Sequence, residues 1–230
     1  AQALQGHLAD PQSRFERQLR LLHQDGSVRH VLSRAVAMRH ADGTPYRVLG
    51  LDTDVTQVRR VQTVLEAVAE GTAGAFGTDF FAALVRHFAR AVEVDCAFIT
   101  ECADQPTTRL RTLAFWSRDA GLRENFEYAL AGTPCDAVVN EARECFIPHG
   151  VGSQFPREKG FEAYLGLPLF ASDGRVLGHL AFLSAKPRGE ELLLGSVYRI
   201  FLARAAAEIE RLQALGQLAA LRLRVEGQAP

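Results

Sequence analysis

The chain has 230 residues, of which 47% are hydrophobic and 23% charged, and these proportions exclude a disordered, a collagen-like or a simple coiled-coil chain. The formal net charge of −1 provides no basic field that would attract nucleic acid or an anionic membrane surface, so we expect neither partner. No apolar run approaches the ~20 residues that span a bilayer, so we expect a cytoplasmic fragment whose parent protein is free to carry a membrane anchor elsewhere.

The first 57 residues are predicted to form strands joined by tight turns. Phe15–His23 mixes apolar residues with arginine, and Val28–Met38 and Tyr46–Leu51 are the next two segments rich in apolar residues. Asp25-Gly26 and Asp42-Gly43 separate them, and Asp-Gly pairs favour the turns that join antiparallel strands. The pattern therefore predicts a three-stranded antiparallel meander. Because three strands leave one face uncovered, we expect a further segment or a second chain to complete this sheet.

A helix is predicted next, over residues 56–70. Four apolar residues recur along it at spacings of three, four and three: Val58, Val61, Leu65 and Val68. Asp54 and Thr56 precede or begin the helix with short polar side chains that can cap its first turn. Two interpretations stay open: a linker helix that packs on its own domain, or a signalling helix that pairs with a second chain.

The rest of the chain mixes helices and strands. We predict helices over residues 78–92, 125–131, 136–143 and 190–225, strands over 95–101, 109–116, 145–147, 163–170 and 175–184, and a loop over 150–160. Strands and full-length helices do not alternate regularly, which disfavours a doubly wound parallel sheet. The sequence thus predicts an α+β fold in two modules.

The predicted meander resembles the C-terminal half of a PAS domain over FERQLRLLHQDGSVRHVLSRAVAMRHADGTPYRVLGLDTDVT, residues 15–56. A D-G-S turn, a second D-G turn and the closing G-L-D-T-D-V-T carry the resemblance. It implies that Asp54 and Thr56 connect the last strand to an outgoing signalling helix. Residues 1–11 are too few to supply the N-terminal helices that bound a PAS ligand pocket.

Residues 64–212 resemble a GAF domain of the kind found in bacterial sensor kinases and cyclic-di-GMP proteins. Three stretches carry this resemblance: ALAGTPCDAVV (129–139), FPREKGFEAYLGLPL (155–169) and SDGRVLGHLAFL (172–183). It implies a six-stranded antiparallel sheet, with two helices on one face and ligand-side loops on the other. We divide the chain into a partial PAS-like domain (1–57), a linker helix (58–72), a GAF-like sensory domain (73–212) and a projecting helix or tail (213–230).

Six residues are candidates for a small-ligand site between the sheet and its loops: Phe115, Tyr128, Cys135, Phe146, Tyr164 and His179. Aromatic walls with few polar groups suit a small ligand, but they suit a protein core equally well. Cys135 is either a thiol activated by the helix that follows it or a small buried cap residue. His179 either faces the ligand or is a hydrogen-bonded histidine of the sheet. The sequence identifies no ligand and requires no cofactor.

The four cysteines have spacings that fit neither a disulfide framework nor a metal site: Cys96, Cys102, Cys135 and Cys145. Close pairs such as C-x-x-C, which zinc sites favour, do not occur, so we expect reduced thiols and no metal.

These features favour a non-catalytic sensory and signal-relay region of a bacterial multidomain protein. A small ligand or a redox signal would act through helices at a homodimer interface on a downstream histidine kinase or diguanylate cyclase in the same polypeptide. One alternative is a GAF-fold enzyme similar to free methionine sulfoxide reductase, which would use the cysteines. A transcriptional regulator is disfavoured by the near-neutral charge and by the lack of a helix-turn-helix pattern.

Overall fold

The computed structural model describes residues 2–10, 13–24 and 26–226. The chain divides into two compact units, residues 1–62 and 63–230. Two predictions fall partly outside the described residues: Asp25 of the first Asp-Gly turn, and residues 227–230 of the C-terminal tail.

The first unit consists of a short helix followed by a three-stranded sheet. Its elements are α1 (Gln2–Ala9), β1 (Phe15–Leu22), β2 (Val28–Arg39) and β3 (Pro45–Asp54). The strands are antiparallel in the order β1-β2-β3, with Leu19 opposite Val31 and Val36 opposite Leu49. The predicted meander is therefore confirmed, and helix α1 lies among the described residues ahead of it.

The second unit contains an antiparallel sheet of seven strands. These are β4 (Cys96–Cys102), β5 (Arg109–Ser117), β6 (Gly121–Arg123), β7 (Glu127–Ala129), β8 (Cys145–Ile147), β9 (Ala163–Phe170) and β10 (Val176–Ser184). Six of them follow the order β6-β5-β4-β10-β9-β8. β7 pairs with the first half of β5, along the same edge that β6 occupies further on.

The seventh strand corrects two expectations. The resemblance implied six strands, and the sequence pattern predicts a helix over residues 125–131, where β7 forms instead with Tyr128 opposite Leu110. The physical reason is a period-two alternation: Phe126, Tyr128 and Leu130 are apolar and alternate with polar or small residues, which suits one face of a sheet.

Among the described residues, α2 (Thr56–Thr72) continues from the first unit into the second, and the other α-helices of the second unit are α3 (Gly77–Ala91), α4 (Cys135–Asn140), α5 (Val151–Gln154) and α6 (Gly195–Glu226). α3 packs on β4 and β5, and α6 packs on β9 and β10, on one face of the sheet. Phe88 of α3 joins these layers, since its ring centre lies 5.4 Å from that of Phe201 and 5.7 Å from that of Phe182. The other face is covered by α4 and by the segment between β8 and β9. That segment was predicted as a loop and contains α5 and the 3₁₀ turn Pro156–Glu158.

The last helix is longer than the sheet on which it packs. α6 has 32 residues, and its buried apolar side chains end at Ile209. Beyond that point Leu215, Leu218 and Leu221 are exposed. Among the described residues, no helix has the combination of length and apolarity that crossing a bilayer requires.

Candidate functional site

A cavity of about 380 Å³ lies on the sheet face opposite α3 and α6, and we call it the aromatic pocket. Strands β4, β5, β7 and β10, the start of α4 and the 3₁₀ turn all contribute to it. Its lining residues are Phe98, Phe115, Phe126, Tyr128, Thr133, Cys135, Arg157, Glu158, Phe161 and Leu183. The volume falls within the ~300–1,000 Å³ that small-molecule pockets commonly have.

The alternation of the strands places an aromatic row along one wall of the pocket. Phe98 and Phe115 are directly opposite each other in β4 and β5, and their rings stack with centres 5.4 Å apart. Phe126 follows at 5.7 Å from Phe115, and Tyr128 at 5.8 Å from Phe126. The row therefore runs from the sheet to the outer strand β7. Phe126 is 47% exposed, so it lies at the mouth of the pocket.

Cys135 lies at the floor of the pocket, where two tyrosines contact it. The hydroxyls of Tyr128 and Tyr164 each donate a hydrogen bond to Cys135 Sγ at 3.5 Å. Burial raises the pKa of the Cys135 thiol to about 11, and the two hydroxyl donors offset only part of that effect. The thiol is therefore protonated near neutral pH, which disfavours chemistry that needs a thiolate.

The Tyr-x-Gly pattern in β9 has a steric explanation. Tyr164 is fully buried, and its hydroxyl reaches Cys135 by passing over Gly166. A Cβ added at Gly166 would lie 2.2 Å from Tyr164 Oη and 2.6 Å from Val138 Cγ2. Glycine at this position is thus what allows the tyrosine to contact the thiol.

His179 lies in β10 and does not line the pocket. Its Nδ1 is 2.7 Å from Thr100 Oγ1, and its ring meets Phe98 edge to face at 5.6 Å. Burial lowers the pKa of His179 to about 3, so the imidazole is neutral. Its Nε2 is buried and has no hydrogen-bond partner among the described residues. These contacts favour the interpretation of a sheet histidine over that of a ligand-binding one.

Two adjacent charged residues of the 3₁₀ turn also line the pocket. Arg157 Nη1 donates a hydrogen bond to the Ala129 carbonyl at 2.9 Å, so its guanidinium is anchored to β7. Glu158 is half-buried, and burial raises the pKa of its carboxyl, with the charge of Arg157 opposing that rise. The pocket therefore has a cation and an anion at one side of a mainly aromatic wall.

The structure brings together four of the six predicted ligand residues. Phe115, Tyr128 and Cys135 line the pocket, and Tyr164 lies beneath it against Cys135. His179 lies outside, as described above. Phe146, in the middle of β8, is half-buried and does not line the pocket.

Sequence reasoning missed four lining residues that carry the character of the site: Phe98, Phe161, Arg157 and Glu158. The strand alternation over residues 95–101 was a usable indication for Phe98. The charged stretch R-E-K before Gly160 is typical of a solvated loop, and nothing in its composition indicates that the turn folds over the sheet.

The predicted relay residues begin at the junction of β3 and α2. Asp54 Oδ1 accepts a hydrogen bond from the Thr56 backbone N–H at 2.8 Å, and Thr56 Oγ1 accepts one from the His30 N–H at 2.8 Å. The hydrogen bonds from Thr56 lower the pKa of the Asp54 carboxyl. The first turn of α2 is thus tied to strands β2 and β3.

The four apolar relay residues of α2 differ in exposure. Val68 is buried, Val61 and Leu65 are half-buried, and Val58 is 67% exposed. Val64, which the heptad spacing omits, is also buried. In this chain the covered side of α2 therefore runs along positions 64, 68 and 72, and part of the predicted seam remains open to solvent.

Arg204 of α6 connects that helix to the end of α2. Its Nη2 donates to the carbonyls of Thr72 at 3.2 Å and Ala75 at 3.1 Å, and its Nη1 donates to Thr72 Oγ1 at 3.4 Å. The guanidinium carbon also lies 4.4 Å from the centre of the Phe80 ring. One turn later, Glu208 accepts a hydrogen bond from the Gly77 N–H at the start of α3. α6 is therefore hydrogen-bonded to the end of α2 and to the start of α3.

The described residues contain no cluster of three or more histidine, cysteine or acidic side chains that would hold a metal ion. All four cysteines are free thiols. Burial raises the pKa of Cys96 to about 12, and it also raises the pKa values of Cys102 and Cys145.

Comparison with protein families finds two matches along the chain. The profile described as "PAS fold" matches residues 1–51, and the profile described as "GAF domain" matches residues 60–223. The search of curated proteins found no match.

Solved structures with a similar fold are GAF domains and phytochromes. The GAF domain of an Acinetobacter phosphoenolpyruvate-protein phosphotransferase has a TM-score of 0.53 at 14% identity, covering 70% of this chain and 97% of that one. The A. aeolicus nlh2 GAF domain in an inactive state has a TM-score of 0.51 at 13% identity, covering 67% and 98%. The bacteriophytochrome RpBphP3 of R. palustris has a TM-score of 0.52 at 14% identity, covering 97% and 51%.

Proposed function

Because the chain belongs to the GAF domain family, with a PAS-fold segment ahead of it, we propose that it is a sensory region of a bacterial signalling protein. A small molecule binds in the aromatic pocket, and its binding is relayed through the helices to an output domain. That output is a histidine kinase or a diguanylate cyclase in the same polypeptide, and the whole acts in the cytoplasm.

The observation that carries this proposal is the pocket itself. It places aromatic walls, a buried thiol and two charged side chains around about 380 Å³ of space. Aromatic walls with a small number of polar groups around such a space are a feature of small-molecule sites. GAF and PAS domains are in general non-catalytic, which agrees with a binding role.

The helix contacts support the relay. Arg204 holds α6 to the end of α2, and Glu208 holds it to the start of α3. α6 also packs on β10, the strand that contributes Leu183 to the pocket. A ligand shifts this helix arrangement only if it binds one arrangement more tightly than another. The sheet is the element that contacts both the pocket and α6.

Ligand binding is favoured over thiol chemistry. Redox sensing, and an enzyme of the methionine sulfoxide reductase kind, both need a nucleophilic thiolate. Burial is the main cause that raises the pKa of Cys135, and the same cause acts on the other three thiols. We therefore assign the sensing step to reversible binding.

The test begins with native mass spectrometry of the purified chain, to detect and identify a bound small molecule. Phe126→Ala removes a wall of the pocket, and Phe170→Ala is the matched control, since Phe170 is 45% exposed and lies outside the pocket. We expect the ligand to be lost from the first variant and kept by the second. Hydrogen exchange with and without ligand should change in α2 and α6. Equal loss from both variants, or unchanged exchange in both helices, would contradict the proposal.

We further propose that the chain acts as a homodimer through its helices. The support is the apolar row on α6 formed by Leu215, Leu218 and Leu221, which is exposed in the single chain. Sedimentation velocity should show a dimer at micromolar concentration. Leu218→Glu should dissociate it, and Gln217→Glu, one position away, should not. A monomer throughout that concentration range would refute this part of the proposal.

A further inference from the structure

Glu158 gives the aromatic pocket an unpaired negative charge. Its side chain is half-buried in a cavity whose other walls are mainly aromatic. Among the described residues, no donor forms a hydrogen bond with its carboxylate and no cation forms an ion pair with it. Arg157, its neighbour in sequence, donates to the Ala129 carbonyl instead. A partly desolvated carboxylate without a donor is unfavourable, and a bound donor would remove that cost.

The backbone that carries this carboxylate is held in place by its turn. The Glu158 N–H donates to the Phe155 carbonyl at 2.9 Å, and the Phe161 N–H donates to the Glu158 carbonyl at 3.0 Å. The turn packs so closely on Gly152 that a Cβ there would lie 2.8 Å from the Glu158 carbonyl oxygen. Glu158 lines the same cavity as Tyr128, so its carboxyl group faces the aromatic pocket.

The aromatic row complements a positive charge. The faces of phenyl and phenol rings attract cations, most strongly where water is excluded. Phe98, Phe115, Phe126 and Tyr128 form a continuous row along the same cavity as Glu158. A cavity of about 150 Å³ holds a benzene ring, so the 380 Å³ here accommodates a ring or a short aliphatic body that carries an ammonium group.

Resting on the proposed function that this pocket binds a small signal molecule, we propose that the signal is an organic cation. It carries a protonated amino group that pairs with Glu158, on an apolar body that packs against the aromatic row. Two sources share this chemistry: a free amine, and an amino acid whose carboxylate would meet Arg157 at the mouth of the pocket.

Three probes of matched size separate the charge classes by calorimetric titration of the full chain: phenethylamine, phenylalanine and 3-phenylpropionate. We expect phenethylamine to bind at least about tenfold more tightly than 3-phenylpropionate. Glu158→Gln should weaken the binding of phenethylamine about tenfold or more. Glu124→Gln is the control, because it makes the same charge change at an exposed site outside the pocket and should alter Kd less than twofold.

The comparison of phenylalanine with phenethylamine identifies the source of the amine. If phenylalanine binds as tightly as phenethylamine and Arg157→Gln weakens only phenylalanine, the signal is an amino acid. If phenylalanine binds more weakly than phenethylamine, the signal is a free amine.

The failure of this inference is distinct from failure of the proposed function. The organic-cation inference is overturned if 3-phenylpropionate binds as tightly as phenethylamine, or if Glu158→Gln leaves amine binding unchanged. The proposed ligand-binding function still stands in that case if Phe126→Ala weakens the binding. A neutral or anionic molecule found by native mass spectrometry in the pocket has the same meaning. If no probe binds and no molecule co-purifies, both proposals fail.

Discussion

Replacing Arg204 tests whether α6 is coupled to α2 through this one side chain. Arg204→Ala removes two hydrogen bonds to carbonyl oxygens, one to a hydroxyl, and the contact with the Phe80 ring. Arg204 is itself exposed, so each hydrogen bond is taken at the low end of the usual net value, about 0.5 kcal/mol, and the ring contact at about 0.5–1 kcal/mol. We expect the free energy of unfolding of the second unit to fall by about 2 kcal/mol.

Urea titration followed by tryptophan fluorescence measures this loss of stability in the second unit of the chain. Trp116 is the only tryptophan, and it is buried in β5 of the second unit. Arg204→Lys keeps the charge and loses the planar fork, so it should lose about 1 kcal/mol. Arg222→Ala, an exposed arginine further along α6, should stay within ~0.5 kcal/mol of the parent. A loss below ~0.5 kcal/mol for Arg204→Ala would refute the coupling.

Three further predictions concern the sheet and the thiols. Burial lowers the pKa of His179 to about 3 in the folded chain, against 6.5 in the unfolded chain. Between these two pH values only the unfolded chain binds the proton, so the free energy of unfolding falls as the pH drops below 6.5. From pH 7 to pH 5 this loss is about 2 kcal/mol in urea titrations, and His179→Gln should remove that part of the slope; an unchanged slope would contradict it. Gly178→Ala places a Cβ 1.9 Å from the Thr100 backbone oxygen and should lower stability by about 3 kcal/mol or more, measured by thermal unfolding; a near-native melting temperature would count against it. Iodoacetamide at pH 8 should label half-buried Cys145 faster than Cys135, by peptide mass spectrometry, and the reverse order would show an accessible thiolate at Cys135.

Much of the sheet could be predicted because its strands alternate and its turns carry Asp-Gly. The predicted strands 145–147 and 163–170 have the bounds found in the structure. β6 and β7 were missed as strands, and each is a three-residue segment that pairs with the outer edge of β5. Gly121–Arg123 alone is too short to separate a strand from a turn, whereas the alternation of Phe126, Tyr128 and Leu130 was present in the sequence and was interpreted as a helix.

The candidate site was predicted less completely, since it depends on which segments fold over the sheet. Phe146 shows the difficulty. Cys145 and Ile147, its neighbours in the three-residue strand β8, pack against the hydrophobic cluster that contains Cys135 and Tyr164, and Phe146 does not. Glu158 shows the converse, because a charged loop residue acquires its surroundings only when the 3₁₀ turn closes the pocket. Val64 of α2 was omitted because a heptad pattern does not indicate which side of a helix its own domain covers.

The exposed half of α6 has a mechanical consequence. From Leu212 to Glu226 the helix extends ~21 Å beyond its last turn on the sheet, at about 1.5 Å per residue. A rigid rod of that length is a lever that pivots at the last packed turn of α6, which ends after Ile209. A tilt of ~5° at the sheet, too small to disrupt its packing, would move the far end by ~2 Å, roughly the displacement that separates packing states at helical interfaces. Amplification of this kind needs stiffness rather than a large rearrangement of the pocket, and the absence of proline from the helix preserves it.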